Sequence, residues 1–146
     1  MKVALASDHR GVEFKNKVKD VLARLGHEPK DFGTDGTESV DYPDYALPAA
    51  RSVAKGECER GILICASGVG MSLAANKVRG IRAALCHNEE TARASRAHND
   101  ANVLCLGADF VPDSLIERIV GTWFETPFEG GRHQRRVDKV MEAEKS

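Results

Sequence analysis

Short, nearly continuous apolar runs alternate along this chain with longer stretches whose apolar residues recur every three or four positions. Val3 to Ala6, Ile62 to Ile64, Ile81 to Cys86 and Asn102 to Leu106 are the short runs, the pattern of strands covered on both faces. Phe14, Val18, Val21, Leu22 and Leu25 mark an amphipathic helix that Gly26 stops, and further helices are expected near 44–55, 70–78 and 89–97. A short run near 28–32 leads into the loop Gly33-Thr34-Asp35-Gly36. Pro112-Asp113-Ser114 with Glu117 resembles a capping box, and Leu115, Ile116, Ile119, Val120, Trp123 and Phe124 form the apolar face of the helix that follows. Pro127 closes it. The last segment, about 131–144, is charged, poor in apolar positions and has no strand ahead of it, so it is expected to pack on another subunit.

Strands alternating with helices imply a parallel sheet covered on both faces, with ligands beyond the carboxyl ends of the strands. At 146 residues and 42% hydrophobic, the chain suits a single domain, 1–146, able to bury a core without staples. The formal net charge of -1 gives no global field for nucleic acid or an anionic membrane, so anion recognition must be local. The apolar run at Met1 to Ser7 is too short for a signal peptide or a membrane span. Four cysteines without a CxxC pair suit a reducing, cytoplasmic setting and show no zinc site.

The chemical centre is Cys65-Ala66-Ser67-Gly68-Val69-Gly70-Met71-Ser72, where an apolar strand turns into an alanine-rich helix. Such a corner presents free backbone N–H groups and a positive dipole end, which favour an anion and the thiolate form of a neighbouring cysteine. Taken alone, a free cysteine after Ile-Leu-Ile is more often a small buried hydrophobe. Gly68 and Gly70 shift the balance, because they permit close backbone approach by a small anionic ligand while Ser67 adds a hydroxyl. The loop lacks the Walker lysine spacing and the third small residue of a dinucleotide fingerprint, which excludes ATP and NAD.

The carboxyl-end rule gathers Ser7-Asp8-His9, the Cys65 loop and either His87 or Gly107-Ala108-Asp109 into one crevice. Asp8 and His9 can equally be a helix cap with a solvated neighbour. Arg132 and Arg136 share a helix face in a first turn where cations oppose the macrodipole, which favours a bound phosphate over a solvated basic face or ion pairs with Glu129 and Asp138. His98 ends a helix, either as a C-terminal cation or as an acid facing the crevice, and Asn99 either caps that helix in a left-handed conformation or donates to a sugar oxygen. His27, His87, Cys58, Cys86 and Cys105 are read as structural.

Together these segments resemble the ribose-5-phosphate isomerase B family, which includes related galactose- and allose-phosphate isomerases. The likeness runs through Ser7-Asp8-His9, Asp41-Tyr42-Pro43-Asp44-Tyr45, the Cys65 loop, Ala74-Ala75-Asn76-Lys77, Gly80 to Ala84, His98 to Leu104 and Glu129 to Gln134. It implies a Rossmann-like three-layer α/β/α sandwich with a five-stranded parallel sheet. It also implies a homodimer, sometimes paired into a tetramer, with active sites shared between subunits and no metal or organic cofactor.

By similarity, the reaction interconverts ribose 5-phosphate and ribulose 5-phosphate through a cis-enediolate. Cys65 is the implied base, His98 opens the furanose ring, and Ser67 with the loop amides holds the oxyanion. Asp8, His9, Tyr42, Ala66, Gly68, Val69, Gly70 and Asn99 are implied to line the substrate, with Arg132 and Arg136 on its phosphate. Asp109 stands where many relatives carry arginine; near a phosphate it must turn toward an arginine, or the substrate differs. The alternatives are a six-carbon sugar phosphate, such as allose 6-phosphate or galactose 6-phosphate, or a non-catalytic flavodoxin-like module that binds a phosphorylated ligand.

Overall fold

The computed structural model describes residues 1–146. Five parallel strands, β1 (Lys2–Ser7), β2 (Glu28–Asp31), β3 (Arg60–Cys65), β4 (Ala83–Leu85) and β5 (Val103–Gly107), form one sheet in the order β2-β1-β3-β5-β4. Six helices connect and cover them: α1 (Val12–Arg24), α2 (Pro43–Ala54), α3 (Val69–Ala75), α4 (Glu89–Ala97), α5 (Ile116–Glu125) and α6 (Arg132–Glu142). The three-layer α/β/α expectation holds.

The central strands read as unbroken apolar runs because each contributes to two cores. Val3 and Leu5, Ile62 and Ile64, and Leu104 and Leu106 face α1, α4 and α5, whose Phe14, Leu22, Ala92, Ile119 and Trp123 complete one cluster. Ala4 and Ala6, Leu63 and Cys65, and Val103 and Cys105 face α2 and α3 in the other. The side-chain period of two sends alternate residues to opposite faces. Each fully buried Leu or Ile contributes about 1.5–3 kcal/mol of transfer free energy.

Neighbouring strands β1 and β3 lead away in opposite directions along the sheet, β1 to the edge strand β2 and β3 toward β5 and β4. Their carboxyl ends therefore flank the topological switch point where α/β folds place ligands. Asp8 follows β1 and Cys65 ends β3, and the Asp8 N–H donates to the Ile64 carbonyl at 3.2 Å, locking the two ends side by side.

Two local expectations fail. Ser114 and Glu117 form no capping box: Asp113–Leu115 is a single 3-10 turn without a side-chain cap, and Glu117 reaches across to Arg24 at 3.2 Å. A genuine capping box opens α4 instead, with Asn88 Oδ1 accepting from the Thr91 N–H at 2.8 Å and Thr91 Oγ1 accepting from the Asn88 N–H at 3.4 Å. The left-handed residue after α4 is Asp100, at φ 49°, not Asn99. Arg96 holds the Asp100 carboxylate at 3.0 Å and the Ala101 carbonyl at 2.6 Å, which offsets the backbone cost at that position.

Candidate active site at the strand ends

Cys65 is 5% exposed, and its Sγ accepts a hydrogen bond from the Gly68 N–H at 3.2 Å. That bond requires the chain to double back within three residues, which Gly68 allows at φ 80°. The β5 backbone behind the turn also leaves no room for a side chain, since a Cβ there would lie 3.0 Å from the Leu106 carbonyl carbon and 3.1 Å from its oxygen. A Cβ at Gly68 would meet Leu85 Cδ1 at 2.5 Å. Ser67 Oγ accepts from the Val69 N–H at 3.2 Å, which leaves the hydroxyl proton free to donate outward.

Two of the amides expected to face an oxyanion are thus committed inside the loop, Gly68 to sulfur and Val69 to Ser67. The Ser67 and Gly70 amides make no backbone hydrogen bond, and with the Ser67 hydroxyl they are the remaining donors. The loop is clamped to β5: the Ala108 N–H donates to the Cys65 carbonyl at 2.9 Å and the Asp109 N–H to the Ala66 carbonyl at 3.0 Å.

Around this corner the structure gathers several expected residues. Asp8 is buried and caps the following 3-10 turn through the Arg10 N–H at 3.0 Å, and His9 Nδ1 accepts from the Val40 N–H at 3.2 Å. Val40 belongs to the loop that delivers Tyr42, whose ring lies so close to Gly70 that a Cβ there would sit 2.7 Å from Cε1 and Cζ. Lys15 anchors the near end of the same loop. Its ammonium is fully buried, donating to Asp31 at 2.8 Å and to the Thr34 carbonyl at 2.6 Å.

Asp109 turns toward an arginine. Its carboxylate pairs with Arg10 at 2.9 Å, so the charge reversal in this loop is compensated within the chain. The thiols of Cys86 and Cys105 are raised by burial above the usual cysteine range, in keeping with structural roles. His27 stacks on Phe124 at 4.2 Å, away from the crevice.

His98, Asn99, Arg132 and Arg136 lie elsewhere. A helix that follows a parallel strand carries the chain back to the amino ends, so α4 deposits His98 and Asn99 just before β5 begins, whereas Cys65 pairs with Gly107 at its far end. The length of β5 puts the two groups on the order of 15 Å apart. The strand-end crevice of Asp8, Cys65 and Asp109 is therefore separate from the group at His98, and one copy of the chain does not bring the two together.

At the amino end, Asn99 and Arg136 share the wall of a groove of about 550 Å³ with Asn76, Arg82, Ala83 and Val140. Arg132 and Arg136 are exposed and form no ion pair, since Asp138 accepts from Gln134 and Glu129 lies by His98 and His133. Val69, Leu73 and Val140 are exposed apolar residues on α3 and α6. The fold also juxtaposes His98, Glu129 and His133, whose donor atoms lie within 4.8 Å of one another. The sequence hides this group, because only the i,i+4 spacing of Glu129 and His133 is local.

A family model described as Ribose/Galactose Isomerase matches residues 3–140. The chain belongs to this family. It is 46% identical over 143 residues to ribose-5-phosphate isomerase B of Escherichia coli, covering 98% of this chain and 96% of that one. The structure of Clostridium thermocellum ribose-5-phosphate isomerase B superposes with a TM-score of 0.97 at 54% identity, over 99% and 98% of the two chains. The Mycoplasma genitalium ribose-5-phosphate isomerase B with bound ribulose-5-phosphate gives 0.95 at 44% identity, over 99% and 97%. No helix of this chain is long and apolar enough to cross a membrane.

Proposed function

We propose that this chain is an aldose–ketose isomerase interconverting ribose 5-phosphate and ribulose 5-phosphate through a cis-enediolate. The observation that carries the reading is the Cys65 sulfur, held by the Gly68 amide at the β1/β3 switch point beside Asp8 and Ser67. Moving a proton between C1 and C2 needs a base beside the carbon and fixed donors where the oxyanion develops. Cys65 is the base; the Ser67 hydroxyl and the free Ser67 and Gly70 amides are the donors. Asp8, His9 and Tyr42 orient the sugar, and Ala66, Gly68 and Val69 form the floor of the loop.

The groups for the other half of the task, His98 to open the ring, Asn99 to bind the sugar, and Arg132 and Arg136 to hold the phosphate, act on the site of a second copy. Three features support this assembly. The two clusters occupy opposite ends of one sheet, the two guanidiniums have no carboxylate partner, and apolar side chains of α3 and α6 stand uncovered, Val140 of them on the groove wall. Bidentate guanidinium contacts suit a phosphate dianion. The Arg10–Asp109 pair removes the charge objection to a pentose phosphate.

The test is conversion of ribose 5-phosphate by the purified protein in heavy water, followed by NMR. Turnover with deuterium entering the sugar supports the reading, and Cys65→Ala abolishes both. Binding without exchange would point to a ligand-binding module, and faster turnover of allose 6-phosphate or galactose 6-phosphate would reassign the substrate.

A further inference from the structure

His98, Glu129 and His133 are brought together by two backbone devices. The Glu129 N–H donates to the Ala97 carbonyl at 3.0 Å, pinning the α5–α6 connection to the end of α4 and setting Glu129 beside His98. Gly130 and Gly131, at φ 71° and 55°, then turn the chain into α6, and the His133 N–H donates to the Gly130 carbonyl at 3.0 Å. The two imidazoles stack with centroids 4.4 Å apart and planes 13° from parallel. Glu129 reaches one ring with each oxygen, Oε2 to His98 Nε2 at 4.0 Å and Oε1 to His133 Nε2 at 3.6 Å.

None of these contacts is a hydrogen bond. His133 is only 8% exposed, and its Nε2 is buried without a partner. The side chains of His98 and Glu129 are 48% and 58% exposed, so the cluster opens to solvent on one side.

We propose that His98, Glu129 and His133 form a zinc(II) site whose occupation inhibits the enzyme. Two imidazoles and one carboxylate are a zinc ligand set, with water completing a tetrahedron. Ligand atoms about 2.0–2.1 Å from zinc lie about 3.3–3.4 Å from one another, against 3.6 and 4.0 Å here and 4.8 Å at most. Closing the set takes a contraction of about 1.5 Å or less and a turn of the rings off their stack, so that both lone pairs meet one ion. Arg132 and Arg136 repel a dication, so the site is a micromolar one rather than a structural trap. A His98 nitrogen ligated to zinc cannot pass a proton to the furanose oxygen; this inhibitory half rests on the isomerase reading, and the binding half does not.

The test uses the full-length, reduced, metal-free protein and titrates zinc chloride by calorimetry, cobalt(II) by visible absorption, and zinc against turnover. The wild type is expected to bind one zinc per chain, to give the intense visible band of four-coordinate cobalt, and to lose turnover over the same zinc range. His133→Asn and the more exposed Glu129→Gln are expected to weaken binding and inhibition together by about tenfold or more, with turnover in the absence of metal retained. No zinc binding by the wild type, or binding unchanged in both variants but abolished by Cys65→Ser, would overturn the proposal. Normal zinc binding by a protein with no turnover even in chelator would instead remove the isomerase reading and leave the site standing.

Discussion

Gly107 is the last residue of β5, and its missing side chain is what lets the Cys65 loop lie against the sheet. A Cβ at Gly107 would stand 2.6 Å from the Ser67 carbonyl oxygen, 2.7 Å from its carbon and 3.0 Å from its Cα, whereas ordinary contact begins at 3.4 Å. One backbone must therefore retreat by about 0.8 Å, the difference between 3.4 and 2.6 Å. Neither side yields easily, because the adjoining Ala108 and Asp109 amides donate to the Cys65 and Ala66 carbonyls. Overpacking of this kind costs about 1–3 kcal/mol, or roughly 2–12 °C in Tm for a domain of this size. Misplacing catalytic groups by about 1 Å costs about a hundredfold in rate, equivalent to about 2.7 kcal/mol of transition-state stabilisation. Gly107→Ala is therefore expected to lower kcat/KM by about a hundredfold and to lower Tm in a thermal melt. The control is Gly121→Ala in α5, where a Cβ meets nothing within 4 Å; it should raise stability by about 0.5–1 kcal/mol through helix propensity, without touching rate. Unchanged kcat/KM and Tm in Gly107→Ala would refute the claim that this contact sets the loop.

Lys15→Met removes a fully buried ammonium from Asp31 and the Thr34 carbonyl, while Asp31 keeps Lys19 at 2.7 Å and the Gly33 amide at 2.8 Å. Urea unfolding should show a loss of about 3 kcal/mol, the low end for a buried pair deprived of one partner; a loss well under 1 kcal/mol would mean the pair is dispensable. Burial works against ionised Asp31, but hydrogen bonds from Lys15, Lys19 and the Gly33 amide outweigh it and leave the carboxyl below its ordinary range. Its contribution is present above the unfolded carboxylate pKa of about 3.9 and disappears as pH falls through the lower folded value. His133 and His27 are both held below the ordinary histidine value, chiefly by burial, so the unfolded chain takes up their protons first. Stability should start to fall as pH drops past about 6.5, the unfolded histidine value, and Tm measured between pH 8 and 5 in His133→Asn should show a shallower decline than the wild type.

The layered fold was legible because a doubly covered sheet leaves few polar positions inside its strands, and Val3 to Ala6 and Ile62 to Ile64 carry that signal directly. The Cys65 corner was legible for the same reason: a strand end, two glycines and a hydroxyl are adjacent in sequence. The partners of charged side chains were not. Glu117 settles on Arg24 and Asp109 on Arg10, 93 and 99 residues away, pairings that follow from helix and loop placement rather than from any local pattern. The separation of His98 from Cys65 is derivable from topology, since α4 must return to the amino ends of a parallel sheet and so carries its last residues away from Cys65. The approach of Glu129 to His98 depends on the Ala97–Glu129 backbone bond, which no periodicity announces.

A sulfur at one end of the sheet and an imidazole at the other can serve the same sugar only if two copies of the chain share each site. Mixing Cys65→Ala with His98→Asn, unfolding and refolding them together, and assaying ribose 5-phosphate isomerisation tests this directly. Random pairing makes half the dimers mixed, each with one intact and one doubly altered site, so about a quarter of wild-type activity should return although each variant alone is inactive. Recovery of no activity from a mixture shown to contain mixed dimers would contradict the shared site.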